Sequence, residues 1–139
     1  MKFSEIQQNE WDELKPYLDT CLLPLTGLTG EESPSEVTEQ LEKLRDLIDF
    51  VEIPFKGRVV TYPSVQYQEK DEQMIATIDT LCLMLKRSTF KFVILITVND
   101  SLAKLDFHDC DLLISPQILT DDASENRAKI ISEIQNLWK

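Results

Sequence analysis

The stretch FKFVILITV, residues 90–98, constrains the fold more than any other part of this sequence. It is apolar almost without alternation, whereas a strand with one face in water alternates apolar and polar side chains. Such a strand is typical of a parallel sheet that is covered by helices on both faces. The stretch therefore predicts an α/β fold, provided that amphipathic helices flank it.

Three segments around this strand have the apolar spacing of helices. The sequence SPSE at residues 33–36 places a Ser cap before a Pro at the first helical position and a Glu at the third. Apolar residues then recur at three- and four-residue steps as far as Val51. A second helix is predicted from Asp71, and the last one from near Asp121 and Asp122.

Shorter β-prone runs are predicted to complete the sheet. The four predicted strands are Cys21–Leu25, Arg58–Tyr62, Phe90–Val98 and Leu112–Ser115. Alternating strands and helices predict a three-layer α/β sandwich with a small, mostly parallel four-stranded sheet, flavodoxin- or Rossmann-like, and helices on both faces. Cys21–Leu25 and Phe90–Val98 are predicted to be central neighbours. The length of 139 residues fits a single α/β domain over residues 1–139.

Composition and charge bear on location and partners. The formal net charge is −11, which repels nucleic acid and anionic membranes, so neither is an expected partner. No apolar run approaches the roughly 20 residues of a membrane-spanning helix, and the first residues lack the apolar core of a signal peptide. The three cysteines are widely spaced and odd in number, as expected of free thiols in a reducing compartment. We therefore expect a cytoplasmic protein.

The carboxyl ends of the predicted strands are where a ligand would bind. Open α/β sheets hold ligands at that edge, near the point where the strand order reverses. Polar side chains and glycine follow the predicted strands there and can hydrogen-bond a small ligand. The candidate ligand-binding residues are Thr26, Gly27, Tyr62, Asn99, Asp100 and Ser115.

The loop after the first predicted strand resembles a phosphate-binding loop only superficially. The sequence TGLTG at residues 26–30 lacks both the G-x-G-x-x-G spacing and a following GK[ST]. Glu31 and Glu32 come next, and their charge opposes that of a phosphate. We interpret residues 26–30 as a turn, and we predict no nucleotide or other cofactor.

Catalytic and metal-binding residues are not recognisable. His108 is the single histidine, and we expect no partner residue that gives its imidazole a role. The sequence HDCD at residues 108–111 contains metal-ligand types, but adjacent side chains alternate in direction and seldom converge on one ion. Residues 25–27 also lack the acidic pair of a phosphoacceptor domain. We predict neither a catalytic set nor a metal site.

Short motifs spread over nearly the whole chain resemble those of the YpiF-like family. The matching residues are Tyr17, Asp19, Thr20, Leu22, Pro24 and Leu25, then the FKGR of residues 55–58, Tyr62-Pro63, Phe92 to Thr97, and Leu137-Trp138. These are small, functionally uncharacterised cytoplasmic proteins of low-GC Gram-positive bacteria. The resemblance implies a stand-alone α/β protein in the cytoplasm, and it supplies no catalytic residues.

Two functions remain open at this point. The first is a non-enzymatic interaction or regulatory protein with a protein partner, because the fold is complete while a catalytic set is not recognisable. The alternative is a small-molecule binder or an enzyme with a site at the carboxyl ends of the parallel strands. A deep pocket that contains Tyr62, Asn99 and Ser115 would favour the alternative, and an open apolar patch would favour the first.

Overall fold

The computed structural model describes residues 1–117 and 119–139 in full and the backbone alone at position 118. The helices are α1 (Gln8–Leu14), α2 (Pro34–Glu52), α3 (Asp71–Ser88), α4 (Asp100–Ala103) and α5 (Ala123–Leu137). The strands are β1 (Thr20–Leu28), β2 (Val59–Thr61), β3 (Val65–Tyr67), β4 (Phe92–Thr97) and β5 (Leu112–Ile114). Short 3-10 helices occupy Phe3–Glu5 and Pro116–Ile118.

All the paired strands run parallel in a sheet of order β2–β1–β4–β5, and β3 pairs with β1 beyond the end of β2. β1 and β4 are central neighbours, in register from Thr20 beside Phe92 to Leu25 beside Thr97. The predicted α/β fold and its central strand pair are confirmed. The sheet has five strands rather than the predicted four, because β3 was missed.

The central strands send alternate side chains into two apolar cores. Leu23 and Leu95 pack with residues of α3 on one face of the sheet. Leu22 and Ile94 pack with residues of α2 and α5 on the other face. Because helices cover both faces, neither side of β4 needs polar residues, and its sequence is apolar from Phe92 to Ile96.

The cap predicted for α2 is present. The Ser33 hydroxyl accepts a hydrogen bond from the Glu36 amide at 3.3 Å, and the Glu36 carboxylate accepts one from the Ser33 amide at 3.2 Å. This reciprocal pair satisfies amides that the first helical turn leaves free. None of the described helices is both long enough and apolar enough to span a membrane.

The predicted turn at residues 26–30 is largely wrong, because β1 continues through Leu28. Gly27 has a φ of +72°, and the register between β1 and β3 shifts between Leu25 and Leu28. The glycine therefore forms an irregularity within a strand. β1 can continue because the unexpected β3 pairs with it, whereas an unpaired strand would have ended near Leu25.

A polar and aromatic cluster closes the amino end of the sheet. Arg58 forms two hydrogen bonds to the Asp19 carboxylate, at 2.9 and 3.2 Å, and its guanidinium lies 3.9 Å from the centre of the Trp138 ring. The Trp138 indole N–H donates to the Thr20 hydroxyl at 2.9 Å. Phe55 packs edge-on against the same indole. Residues from the start, middle and end of the chain are thus joined at one place.

Candidate functional site

Three of the six predicted site residues meet at the carboxyl ends of β1 and β4, and the chain itself engages all three. The Asn99 side-chain amide donates to the Gly27 carbonyl oxygen at 3.2 Å, and its oxygen caps α4. The Gln68 side-chain amide donates to the same Gly27 oxygen at 3.0 Å. The buried Thr26 hydroxyl donates to the Gln66 carbonyl oxygen in β3. The polar groups of these three residues are therefore already engaged in hydrogen bonds within the chain.

The Asn99 side chain packs against Gly27 at the point where the strand order reverses. The chain passes from β1 outward to β2 and β3 and then returns to β4, so the reversal lies between β1 and β4. Ligands of open α/β sheets bind at such a point. Here a Cβ atom on Gly27 would lie only 2.6 Å from the Asn99 side-chain nitrogen. Asn99 thus occupies the space beside Gly27 between the ends of the two strands.

The other three predicted residues are not brought together. Asp100 is exposed and lines a cleft of about 410 Å3 between α2 and the carboxyl ends of β4 and β5. Ser115 is buried directly after β5. Tyr62 lies at the outer edge of the sheet, in a groove whose lining includes neither Asn99 nor Ser115. The predicted residues therefore do not form one site.

The outer edge of the sheet is interrupted between β2 and β3. β2 pairs with the first residues of β1, β3 pairs with its last residues, and Tyr62–Ser64 lie between the two strands. The Leu22 carbonyl oxygen accepts from the Tyr62 amide at 2.9 Å, so the backbone of Pro24, two residues on, faces the same edge. Because Pro24 has no N–H, β1 has one hydrogen-bond donor fewer at the gap between β2 and β3.

An open groove of about 570 Å3 lies beside this interruption, on the α3 side of the sheet. We call it the edge groove. The Tyr62 ring packs edge-on against Phe90, with ring centroids 5.1 Å apart, and against Phe3, with ring centroids 6.3 Å apart. The Phe3 side chain remains 47% exposed. The groove is lined by Phe3, Ile6, Gln7, Gln8, Trp11, Val60, Tyr62, Pro63 and Phe90, none of them charged.

A smaller pocket of about 340 Å3 lies on the α2 side of the same interruption. It shares Phe3, Tyr62 and Pro63 with the edge groove. Next to them the buried Glu52 carboxylate accepts from Lys2 Nζ at 2.8 Å and from the Thr61 hydroxyl at 2.9 Å. The ion pair fixes the segment that carries Phe3, so the groove wall is held in place by a contact with α2.

Of the predicted site residues, only Tyr62 lies in the edge groove. Phe3, Trp11 and Phe90 come from distant parts of the chain and meet only through the fold. One sequence signal could have located the groove, namely the proline directly after a predicted strand at Tyr62-Pro63. Proline interrupts an edge strand, and the interruption exposes the side chains beneath it.

The thiols lie in surroundings that disfavour a nucleophile. Burial raises the pKa of Cys82 to about 12, and it raises the pKa of Cys21 above the ordinary range for a thiol. Burial also raises the pKa of the half-buried Cys110. The reactive form of cysteine is the thiolate, so these three side chains are poor nucleophiles at neutral pH.

The expectation that His108 lacks a partner is wrong. The buried Asp79 of α3 accepts hydrogen bonds from the backbone amides of His108 and Asp109, at 2.9 and 3.1 Å. Its second oxygen lies 3.2 Å from Nδ1 of the imidazole, whose side chain is 65% exposed. The Asp79 carboxylate anchors the loop before β5 through these two amides. The exposed imidazole adds one further contact to the same carboxylate.

The amides after β1 already bind a carboxylate. Glu32 accepts from the Thr29 amide at 2.9 and 3.0 Å, from the Thr29 hydroxyl at 3.0 Å and from the Gly30 amide at 3.0 Å. The hydrogen bond from the Thr29 backbone is the main reason that the pKa of Glu32 is lowered. A phosphate would have to displace this carboxylate.

Comparison with known proteins gives one match. A family model described as "Protein of unknown function (DUF2487)" matches residues 9–137. No curated protein and no solved structure shows significant similarity to the chain. The matched segment runs from α1 to the last residue of α5 and includes every strand of the sheet, whereas Phe3, Ile6, Gln7 and Gln8 of the edge groove precede it. The chain therefore belongs to the DUF2487 family.

Proposed function

We propose that this protein is a non-enzymatic interaction protein that holds an apolar segment of a protein partner in the edge groove. The main support for this proposal is the groove itself, which is open and uncharged. Its walls include the aromatic rings of Phe3, Trp11, Tyr62 and Phe90. Aromatic side chains provide much of the binding energy in protein interfaces. A partner Leu, Met or Phe side chain would bury its surface against these rings.

The charge of the chain supports a basic partner. The net charge is −11, and α1, which contributes Gln8 and Trp11 to the groove, exposes Glu10, Asp12 and Glu13. Complementary charge accelerates association and disfavours acidic competitors. We therefore propose a partner segment in which Lys or Arg residues flank the apolar anchor.

A location in the cytoplasm is part of this proposal. It is supported by the three free cysteines, two of which are buried as thiols. Such thiols persist in a reducing compartment. The resemblance to the YpiF-like family supports the same location, in a low-GC Gram-positive bacterium.

Photocrosslinking in the source cell tests the proposed site. Benzoylphenylalanine replaces the exposed Gln7 at the groove rim, and a matched variant carries it at the exposed Ala128 on α5. We expect an adduct of defined mass from position 7 that is absent from position 128 and is lost when Phe3→Ser is added. Identical adducts from both positions, or adducts that Phe3→Ser leaves unchanged, would contradict the proposal.

The alternative function, a small-molecule site at the carboxyl ends of the strands, is best represented by the cleft that Asp100 lines. Its volume of about 410 Å3 is in the range of ligand pockets. Lys43 and Phe50 of α2 form its opposite wall. A metabolite that raises the melting temperature of the wild type, but not that of Phe50→Ser, would favour this alternative.

A further inference from the structure

The face of α3 that points away from the sheet has no exposed charged residue of its own over three turns, and the Glu69 carboxylate, from the segment before α3, accepts a hydrogen bond from the Thr77 hydroxyl at 2.8 Å. Between Gln73 and Met84 the single charged residue is Asp79, which is buried. Two large apolar side chains on this face are open to solvent, with Leu83 45% and Met84 59% exposed. The exposed residues of this segment are Gln73, Ala76, Thr77, Thr80, Leu83 and Met84.

The other long helices differ in this respect. Exposed residues of α2 include Glu39, Glu42, Lys43, Arg45 and Asp46, and those of α5 include Glu125, Arg127 and Lys129. In a chain of which 28% of the residues are charged, an uncharged outer helix face is unusual. Because every copy carries a net charge of −11, this face, where Glu69 supplies a carboxylate but α3 itself exposes no charge, is one on which two copies can approach with less local repulsion than on an acidic face.

Large and small side chains are placed symmetrically about Thr80. Leu83 and Met84 follow Thr80 by three and four residues, and Thr77 and Ala76 precede it by the same steps. These steps place all of them on one helix face. When two copies of α3 cross antiparallel with Thr80 on a two-fold axis, each large side chain lies over a small one of the other copy. The face is therefore complementary to itself in shape.

The ends of α3 are complementary in charge. Asp71 and Glu72 lie in the first turn, and Lys86 and Arg87 lie in the last turn, where Lys86 is already paired with Asp111 at 2.9 Å and Arg87 is exposed. The antiparallel crossing brings the acidic first turn of one copy beside the basic last turn of the other. Two helix dipoles in this arrangement also attract each other. Shape and charge thus select the same relative orientation.

We propose that α3 forms the interface of a homodimer, with the two helices antiparallel across a two-fold axis at Thr80. The contact is isologous, so it closes after two copies and does not propagate. A single pair of helices is smaller than a standard interface of about 800 Å2 per partner, so the dimer is expected to dissociate on dilution. The inference is independent of the edge groove, which lies on other residues.

Sedimentation velocity on the full chain, from about 10 µM to about 500 µM, measures the association directly. We expect a reversible shift from monomer to dimer over this range. Thr80→Glu places two like charges at the axis and should weaken the dimer at least tenfold, whereas Ala128→Glu on the exposed face of α5 adds the same charge and should leave it unchanged. A monomer at the highest concentration, or equal effects of the two variants, would overturn the proposal.

A charge exchange and a crosslink test the geometry. Glu72→Arg and Arg87→Glu should each weaken the dimer, and the double variant should restore it, because the pair is exchanged across the axis. Under mild oxidation Thr80→Cys should form a covalent dimer that dithiothreitol reverses, while Ala128→Cys should remain monomeric. Crosslinking that is equal at positions 80 and 128 would refute the two-fold axis at Thr80, even if the protein dimerises elsewhere.

Discussion

The side-chain amide of Asn99 lies against the α-carbon of Gly27 and donates to the carbonyl oxygen of that same residue at 3.2 Å. The contact joins the carboxyl ends of β1 and β4, 72 positions apart in the chain. It requires a residue without a side chain in β1, because a Cβ atom there would collide with the amide. A sheet edge that commonly receives ligands is used in this protein to fix two strands together.

Replacing Gly27 with Ala tests this contact. The positive φ alone costs about 1–2 kcal/mol for a residue with a Cβ atom, and the displacement of Asn99 adds to that loss. Gly30→Ala is the matched control, because Gly30 also has a positive φ but no atom within 4 Å of the added carbon. Urea denaturation should show a clearly larger loss of unfolding free energy for Gly27→Ala. Equal losses would mean that the Asn99 contact contributes nothing measurable.

The apolar core on the α2 side of the sheet can be tested by truncation. Leu44 of α2 and Ile94 of β4 are both buried in the core on the α2 side, at 3% and 0% exposure. Truncation of such residues leaves a cavity, so Leu44→Ala and Ile94→Ala should each lower the unfolding free energy by about 2–5 kcal/mol. Chemical denaturation measures both values. Losses below about 1 kcal/mol for both variants would refute the assignment of this core.

Asp79 is expected to matter more than His108. Asp79→Ala leaves the amides of His108 and Asp109 without their acceptor and should lower the unfolding free energy by about 1–3 kcal/mol. His108→Ala removes only an exposed imidazole and should change stability by less than about 0.5 kcal/mol. Parallel urea melts give both values. A larger effect for His108→Ala would assign the anchoring of the loop to the imidazole.

Glu32 should give the fold a contribution that depends on pH. Its pKa is lowered from 4.5, mainly because the Thr29 amide donates to its carboxylate. A carboxyl group whose pKa is lower in the folded than in the unfolded state stabilises the fold. This stabilisation is complete at a pH above the unfolded pKa, and it is lost as the pH falls through the pKa of the folded state. The stability difference between the wild type and Glu32→Gln should therefore be constant above pH 4.5 and shrink below it. A difference that grows on acidification would contradict the lowered pKa.

Nucleotides should not stabilise the protein, because Glu32 holds the amides that a phosphate would need. A ligand at a hundred times its Kd adds about 2.7 kcal/mol to the unfolding free energy, which raises the melting temperature by several degrees. We expect no such rise with ATP, GTP, NAD or FMN at millimolar concentration. A rise of several degrees that Gly27→Val abolishes would establish a nucleotide site at this loop.

The sequence predicted the structure correctly where the local spacing of apolar and polar residues matches their burial in the fold. The apolar stretch of β4 and the cap at Ser33 predicted the layers and the start of α2 correctly. β3 was missed because its three residues have no pattern of their own and depend on pairing with the irregular end of β1. The edge groove was missed for a related reason. Phe3, Trp11 and Phe90 become neighbours only when the chain closes around Tyr62.

The hydrogen bond from Trp138 to Thr20 has a consequence for biosynthesis. It spans 118 positions and joins the first residue of the central strand to a residue at the end of α5. Each strand pair is parallel and therefore closes a long loop, and such non-local contacts slow folding. Residue 138 must leave the ribosome before the indole can reach β1. The amino end of the sheet is therefore completed after translation of the helical C-terminal segment. A nascent chain that stalls earlier lacks the contacts of Trp138 with Thr20 and Arg58.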